Sequence, residues 1–261
     1  MNKNKYILTI DQGTTSTRCI IFDYKGTIIA KSQMEFSQIC PKNGWVEHNP
    51  EEIWELTLQT IKNVINSINL KVIDIHAIGI TNQRETTVLW NKKTGKPVYN
   101  AIVWQSRQSQ EICDNLIKAG LNNIFKKKTG LIINPYFSAS KIRWIFDNIK
   151  NVQEAANNGD ILFGTIDTYL LWKLTNGKVH ATDYSNASRT LIYNINTLEW
   201  DDELLNYFNI PKSILPKVFP SSHIYGFATA LSSIDKDFNK IPIASLIGDQ
   251  QSALFLSLIH I

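Results

Sequence analysis

Three short apolar runs joined by tight turns open this chain, and a capped amphipathic segment and an almost unbroken apolar run follow. That order constrains the fold more than any other feature. The runs are Tyr6–Asp11, Arg18–Asp23 and Ile28–Phe36. Gly-Thr-Thr joins the first pair, and Tyr24-Lys-Gly26 suits a hairpin turn between the second and third. Asn49 then has the position of an N-cap, with Pro50 at the first helical position and Glu51 and Glu52 in the first turn. Ile53, Trp54, Leu56, Ile61, Val64 and Ile65 follow a helical period. Ile75–Thr81 is nearly continuous in apolar residues, as expected of a strand in the middle of a sheet. Further strands are expected at Thr87–Trp90, Ala101–Trp104, Ile161–Gly164 and Ile243–Gly248. Helices are expected at Ser109–Lys118, Ser138–Asp147 and Asp167–Leu174. Strands followed by strand–helix alternation predict an α/β domain with a mixed central sheet flanked by helices.

Composition removes several alternatives. With 43% hydrophobic and 19% charged residues in 261, the chain is neither disordered nor a simple coiled coil. The net charge of +4 is small and the longest Lys/Arg run is Lys126 to Lys128, expected to be a solvated face. Charge therefore gives no support to a nucleic-acid or membrane-surface role. Three scattered cysteines and five dispersed histidines form neither a disulfide framework nor a zinc pattern. Tyr6–Ile10 is too short for a signal peptide, and no run reaches the ~18 apolar residues of a membrane span. A reduced cytoplasm is the expected compartment. The sequence ends in SALFLSLIHI, an apolar stretch that reads as a buried last element or an interrupted core.

Four segments carry candidate chemistry. In Asp11-Gln-Gly-Thr-Thr-Ser-Thr-Arg18 an apolar strand ends in a carboxylate, a glycine, hydroxyl residues and an arginine. Gly13 would permit a turn whose N–H groups converge on an anion. The hydroxyls would add donors, and Arg18 could grip a phosphate. Asp11 could hold Mg²⁺. A hairpin with polar turn residues would look similar, and the segment is not a Walker loop. Thr81-Asn-Gln-Arg-Glu85 places adjacent opposite charges at a strand's C-terminal end, where α/β sheets tend to bind ligands. Arg84 beside Glu85 suits a polyol, although a surface ion pair would leave the same trace. Trp104 and Tyr136 could wall a ligand or simply pack. Asp249, in Gly248-Asp-Gln-Gln251, could accept a proton from an attacking hydroxyl or merely cap a turn. Asp183-Tyr-Ser-Asn-Ala-Ser188 reads only as a polar turn.

Taken together, DQGTTSTR (11–18), PKNGWVEHNP (41–50), GITNQRETT (79–87), NAIVWQ (100–105), NPYFSASK (134–141), LFGTIDT (162–168), TDYSNASRT (182–190) and GDQQSALF (248–255) resemble the glycerol kinases. These belong to the carbohydrate-kinase family, which shares the actin and Hsp70 ATPase fold. The resemblance implies an actin-like, ribonuclease H-like domain and ATP-dependent phosphorylation of glycerol to sn-glycerol 3-phosphate, with Mg²⁺. It assigns the nucleotide phosphates to Thr14, Thr15, Ser16 and Arg18, and the metal to Asp11. It assigns glycerol to Arg84, Glu85, Trp104, Tyr136, Asp249 and Gln250, with Asp249 as general base. The partners implied are glycerol, ATP and, at full length, further copies of the same chain. In this family a second domain follows GDQQ, which divides the sequence into a domain at 1–247 and the start of a truncated second one at 248–261. The alternatives are a related polyol or sugar kinase, or an inactive fragment.

Overall fold

A computed structural model describes residues 5–258. The meander forms as expected, with β1 (Tyr6–Gln12), β2 (Ser16–Phe22) and β3 (Ile28–Glu35) pairing antiparallel in sequence. Alternation sends Leu8, Ile10, Cys19 and Ile21 to one face, all fully buried, and leaves Thr9, Asp11, Arg18 and Ile20 half-covered on the other. A short β4 (Glu47–His48) leads into α1 (Pro50–Ser67). The Asn49 side chain caps α1 by accepting from the Glu51 N–H at 3.0 Å. Its buried stripe of Ile53, Ile61, Val64 and Ile65 packs on β2 and β3. β5 (Ile75–Asn82) then runs parallel to β1.

The middle of the chain builds a second apolar cluster beside the sheet. It contains β6 (Val88–Asn91), β7 (Ala101–Ile102), α2 (Gln110–Lys118), α3 (Asn122–Thr129), α4 (Ser138–Asn148), α5 (Val152–Asn157) and β8 (Ile161–Gly164). Three of the strands expected from sequence therefore lie outside the central sheet. β6 pairs with β8, and β7 pairs with β4. The helices α3 and α5 were not expected. Of the lysine triplet, Lys126 and Lys127 are exposed, but Lys128 is half-buried and pairs with Asp201 at 2.8 Å.

The chain returns through α6 (Ile166–Leu174), which lies against β5, then β9 (Ala181–Asp183) and the short α7 (Tyr184–Ala187). Next come β10 (Tyr193–Asn194), β11 (Glu199–Trp200), α8 (Asp202–Phe208), β12 (Lys217–Phe219) and β13 (Ser222–Phe227). Finally β14 (Pro242–Gly248) enters the sheet parallel to β5, and α9 (Asp249–Leu258) starts at its end. The six-stranded order is β13-β14-β5-β1-β2-β3, mixed as predicted. Residues 259–261 of the apolar terminal run lie outside the described residues, and Leu254 and Phe255 within it are exposed.

Candidate functional site

β1, β5 and β14 are mutually parallel neighbours, so their carboxyl ends emerge at one edge of the sheet. Gln12, Asn82 and Gly248 lie in register across that edge. The residues just beside or beyond them are Asp11, Arg84 with Glu85, and Asp249. Sheet topology alone therefore gathers groups separated by more than two hundred positions in the sequence.

Between them is a cavity of about 90 Å³ lined by Thr14, Arg84, Glu85, Trp104, Tyr136, Asp249 and Gln250. Six of these are the residues singled out for a polyol, and they meet in one place. That is several times the ~10–15 Å³ needed to hold one water, so the space admits a small polar ligand. Arg84 crosses it from below. Its Nη1 donates to Gln251 Oε1 at 2.9 Å, its Nη2 donates to Gln250 Oε1 at 2.5 Å, and its Nε is 3.4 Å from Asp249 Oδ1. The Arg84 guanidinium is buried, and its Nε makes no hydrogen bond among the described residues. Gly248 permits this approach, because a Cβ there would stand 2.4 Å from Arg84 Cδ. Trp104 and Tyr136 form the wall, with ring centroids 5.3 Å apart, and the Trp104 indole N–H donates to Thr14 Oγ1 at 3.0 Å.

The phosphate-binding candidates lie on the hairpin between β1 and β2, next to this cavity. A tight turn forms at Gly13, as expected, but the glycine's own N–H is used within it. Its N–H donates to Ser16 O at 3.0 Å and closes a two-residue turn at Thr14 and Thr15, so that donor is not offered to an anion. Thr15 is exposed, while Arg18 Nε donates to Gln33 Oε1 and Gln33 Nε2 donates to Ser16 Oγ, both at 3.0 Å. Gln33 had no signal in the sequence. Arg18 lies 3.8 Å from Asp11 across the β1–β2 ladder. Burial raises the Asp11 carboxyl above the ordinary range; Arg18 pulls it down and the Asp249 charge pushes it up. Two carboxylates therefore share this edge. Among the described residues no group of three or more metal-ligating side chains assembles.

Behind the cavity, buried polar groups fix the strand ends. Asn82 and Asn186 exchange amide hydrogen bonds at 3.0 and 3.1 Å. The segment read as a polar turn is α7, capped by the Asp183 carboxylate, which accepts from the Ser185 and Asn186 N–H groups. Ser185 Oγ accepts from the Gly248 N–H at 2.7 Å, which ties α7 to the residue before Asp249. The Lys141 ammonium is fully buried and donates to the carbonyls of Pro135, Tyr136 and Phe137 at 2.7, 2.6 and 3.1 Å. These bonds set the turn that presents Tyr136. Burial pulls the Lys141 pKa down to about 7, while three carbonyls matched to three N–H donors favour the ammonium.

His48 supports the same edge. Its Nε2 is 2.8 Å from Gln38 Oε1 and its Nδ1 is 3.4 Å from Gln83 Nε2, an arrangement that suits the neutral ring. Burial lowers its pKa to about 4. An unfolded chain takes up this proton near pH 6.5, whereas the folded one resists until about pH 4. The stabilisation His48 gives is thus complete above pH 6.5 and is lost as pH falls toward 4. The difference in urea stability between this chain and its His48→Gln variant should shrink by up to roughly 3 kcal/mol from pH 7 to pH 4. A constant difference would contradict a neutral, buried His48.

A mixed sheet of this order, with charged and polar side chains gathered at the ends of its parallel strands, has the actin-like fold of a carbohydrate-kinase N-terminal domain. The chain belongs to the FGGY family of carbohydrate kinases, whose N-terminal domain model matches residues 6–256. The glycerol kinase of Brevibacillus brevis is 58% identical over 254 residues, covering 97% of this chain and 50% of that protein. Glycerol kinase 2 of Thermotoga maritima is 55% identical, covering 96% and 50%. The crystal structure of Plasmodium falciparum glycerol kinase with ADP superposes with a TM-score of 0.91 at 39% identity, covering 95% of this chain and 49% of that one. The chain thus spans about half the length of the curated relatives it matches. Among the described residues no helix is long and apolar enough to cross a membrane.

Proposed function

We propose that this chain is the glycerol-binding half of an ATP:glycerol 3-phosphotransferase. The observation that carries this reading is the convergence of Arg84, Glu85, Trp104, Tyr136, Asp249 and Gln250 on one small polar cavity. Arg84 and Glu85 bind two hydroxyls as donor and acceptor, Trp104 and Tyr136 cover the carbon backbone, and Gln250 closes the side next to Asp249. The Arg84 Nε, ion-paired with Asp249 but without a hydrogen bond among the described residues, supplies a buried donor that a ligand oxygen satisfies. The 58% and 55% identity to curated glycerol kinases supports glycerol over the larger substrates of a sugar kinase.

In the reaction, the terminal hydroxyl oxygen forms a bond to the γ-phosphorus as the bond from phosphorus to the ADP oxygen breaks, and the hydroxyl proton passes to the Asp249 carboxylate. Asp249 is half-exposed at the start of α9 and stands beside Arg84, so it is placed to take that proton late. Thr14, Thr15, Ser16 and Arg18 bind the phosphates of ATP. Mg²⁺ takes one or two carboxylates together with phosphate and water oxygens. Asp11 fits it in company with the nucleotide, and the metal would neutralise charge on the phosphates. The boundary between this half and the next falls at Gly248. Three free cysteines, one of them exposed, fit a reduced cytoplasm. A homo-oligomer at full length rests on the family resemblance.

Residues 1–256 joined to the second half of the Brevibacillus brevis relative should form sn-glycerol 3-phosphate from glycerol and ATP in a coupled assay. The 261-residue chain by itself should show no turnover above background, because closure of a second domain is what excludes water from such a site. A folded fusion that phosphorylates a pentulose but not glycerol would overturn the assignment.

A further inference from the structure

The side chain of Glu85 is buried at the back of the cavity and its backbone is left-handed, with φ 62°, a conformation that a glutamate adopts only when its surroundings hold it there. Ser138 Oγ and Thr87 Oγ1 both donate to its carbonyl oxygen at 3.1 Å. Its carboxylate accepts from Arg189 Nε at 2.6 Å, and among the described residues it has no other side-chain partner in hydrogen-bond range. One carboxylate oxygen is therefore left for a ligand. Arg189 follows α7, whose Asn186 is bonded to Asn82 on the strand that leads to Glu85. Its guanidinium lies 4.9 Å from the Phe137 ring and 5.9 Å from the Tyr136 ring, and Arg189 itself does not line the cavity.

We infer that Arg189 is a positioning residue of the polyol site: it aims the Glu85 carboxylate into the cavity and packs its guanidinium by the Tyr136 and Phe137 rings, so that Glu85 accepts a hydrogen bond from a substrate hydroxyl. The inference rests on the proposed function and adds a residue that does not itself touch the cavity. Four groups face Glu85: Arg189 beyond α7, Arg84 on its own loop, Lys141 on α4 and the phenol of Tyr136. Burial pushes the Glu85 carboxyl up, and Arg189, Arg84 and Lys141 pull it back. Loss of Arg189 removes the only partner among the described residues that hydrogen-bonds the carboxylate and fixes its direction. A protonated Glu85 is a poorer acceptor, so affinity should then fall as pH is lowered.

The test is a glycerol titration of the 261-residue chain by NMR, read on the Trp104 indole N–H, at pH 5.5, 6.5 and 7.5. Arg189→Gln should weaken binding about ten-fold or more at pH 7.5 and further at pH 5.5. Arg189→Lys, which restores the charge without the stacking plane, should recover part of that loss. In a Glu85→Gln background, Arg189→Gln should add no more than about two-fold. If Arg189→Gln does not fold, the Arg189→Lys chain carries the test, because its affinity should begin to fall at a higher pH than that of the unaltered chain. The inference fails if a folded Arg189→Gln chain binds glycerol within about two-fold of the unaltered one at every pH. It fails also if the penalty is undiminished in the Glu85→Gln background, or if the Arg189→Lys pH profile is unchanged. Absence of glycerol binding by the unaltered chain would remove the proposed function, and this inference with it.

Discussion

Replacing Asp249 by Asn in the fused two-domain enzyme should reduce turnover by about 10²–10⁴-fold while glycerol still binds. The substitution keeps the shape of the side chain and an oxygen to accept from the Gln250 N–H, a bond of 2.7 Å in this structure. What it removes is the proton acceptor. The charge of Asp249 also raises the Asp11 carboxyl, so Asp249→Asn should leave Asp11 more readily ionised and the phosphate edge intact. Burst and steady-state measurements of glycerol 3-phosphate formation, alongside glycerol affinity, separate the two effects. Turnover near that of the unaltered enzyme would remove Asp249 from the chemistry.

The second large effect belongs to Arg84. Its guanidinium is buried and meets three successive residues, Asp249 to Gln251, so truncation removes what holds the start of α9 against the cavity and also takes away the donor facing the ligand. Losing one partner of a buried, charged hydrogen bond typically costs 2–5 kcal/mol, which corresponds to roughly 30-fold to several-thousand-fold in affinity. Arg84→Ala in the fused enzyme should therefore raise the glycerol KM by at least about 30-fold, with a smaller change in kcat. An unchanged KM would place glycerol elsewhere.

The parts of the fold that could be read in advance are those specified over short distances. The three-strand meander follows from alternation and two tight turns, and α1 follows from Asn49, Pro50 and a stripe of isoleucines. Where the signal depends on distant partners, reading fails. β6 and β8 have the composition of central strands but pair with each other outside the six-stranded sheet, and nothing local distinguishes a core sheet from a separate ribbon. Helix α3, with the sequence NNIFKKKT, buries only Phe125 and Thr129, too little for a detectable period. The edge strand β13 carries a glycine and a register shift that break its alternation.

The site divides in the same way. Asp11, Arg84, Glu85 and Asp249 are visible because each stands at or just beyond the end of an apolar strand, and the family resemblance selects their roles. Their supports are not visible. Arg189 is 104 positions from Glu85, Ser185 is 63 from Gly248, and Lys141 reads as one more lysine in a helix until three carbonyls are found around its ammonium. Gly13 is legible only in part. Its residue type fits an anion turn, but the hairpin uses its N–H internally.

The central claim is that the cavity at the ends of β1, β5 and β14 selects glycerol. Titration of the 261-residue chain with glycerol, xylulose and gluconate, read on the Trp104 indole resonance, tests it most directly. Saturable binding of glycerol, abolished by Arg84→Ala and much tighter than binding of either larger compound, is the predicted result. Preferential binding of xylulose or gluconate, or a glycerol response that survives Arg84→Ala, would contradict it.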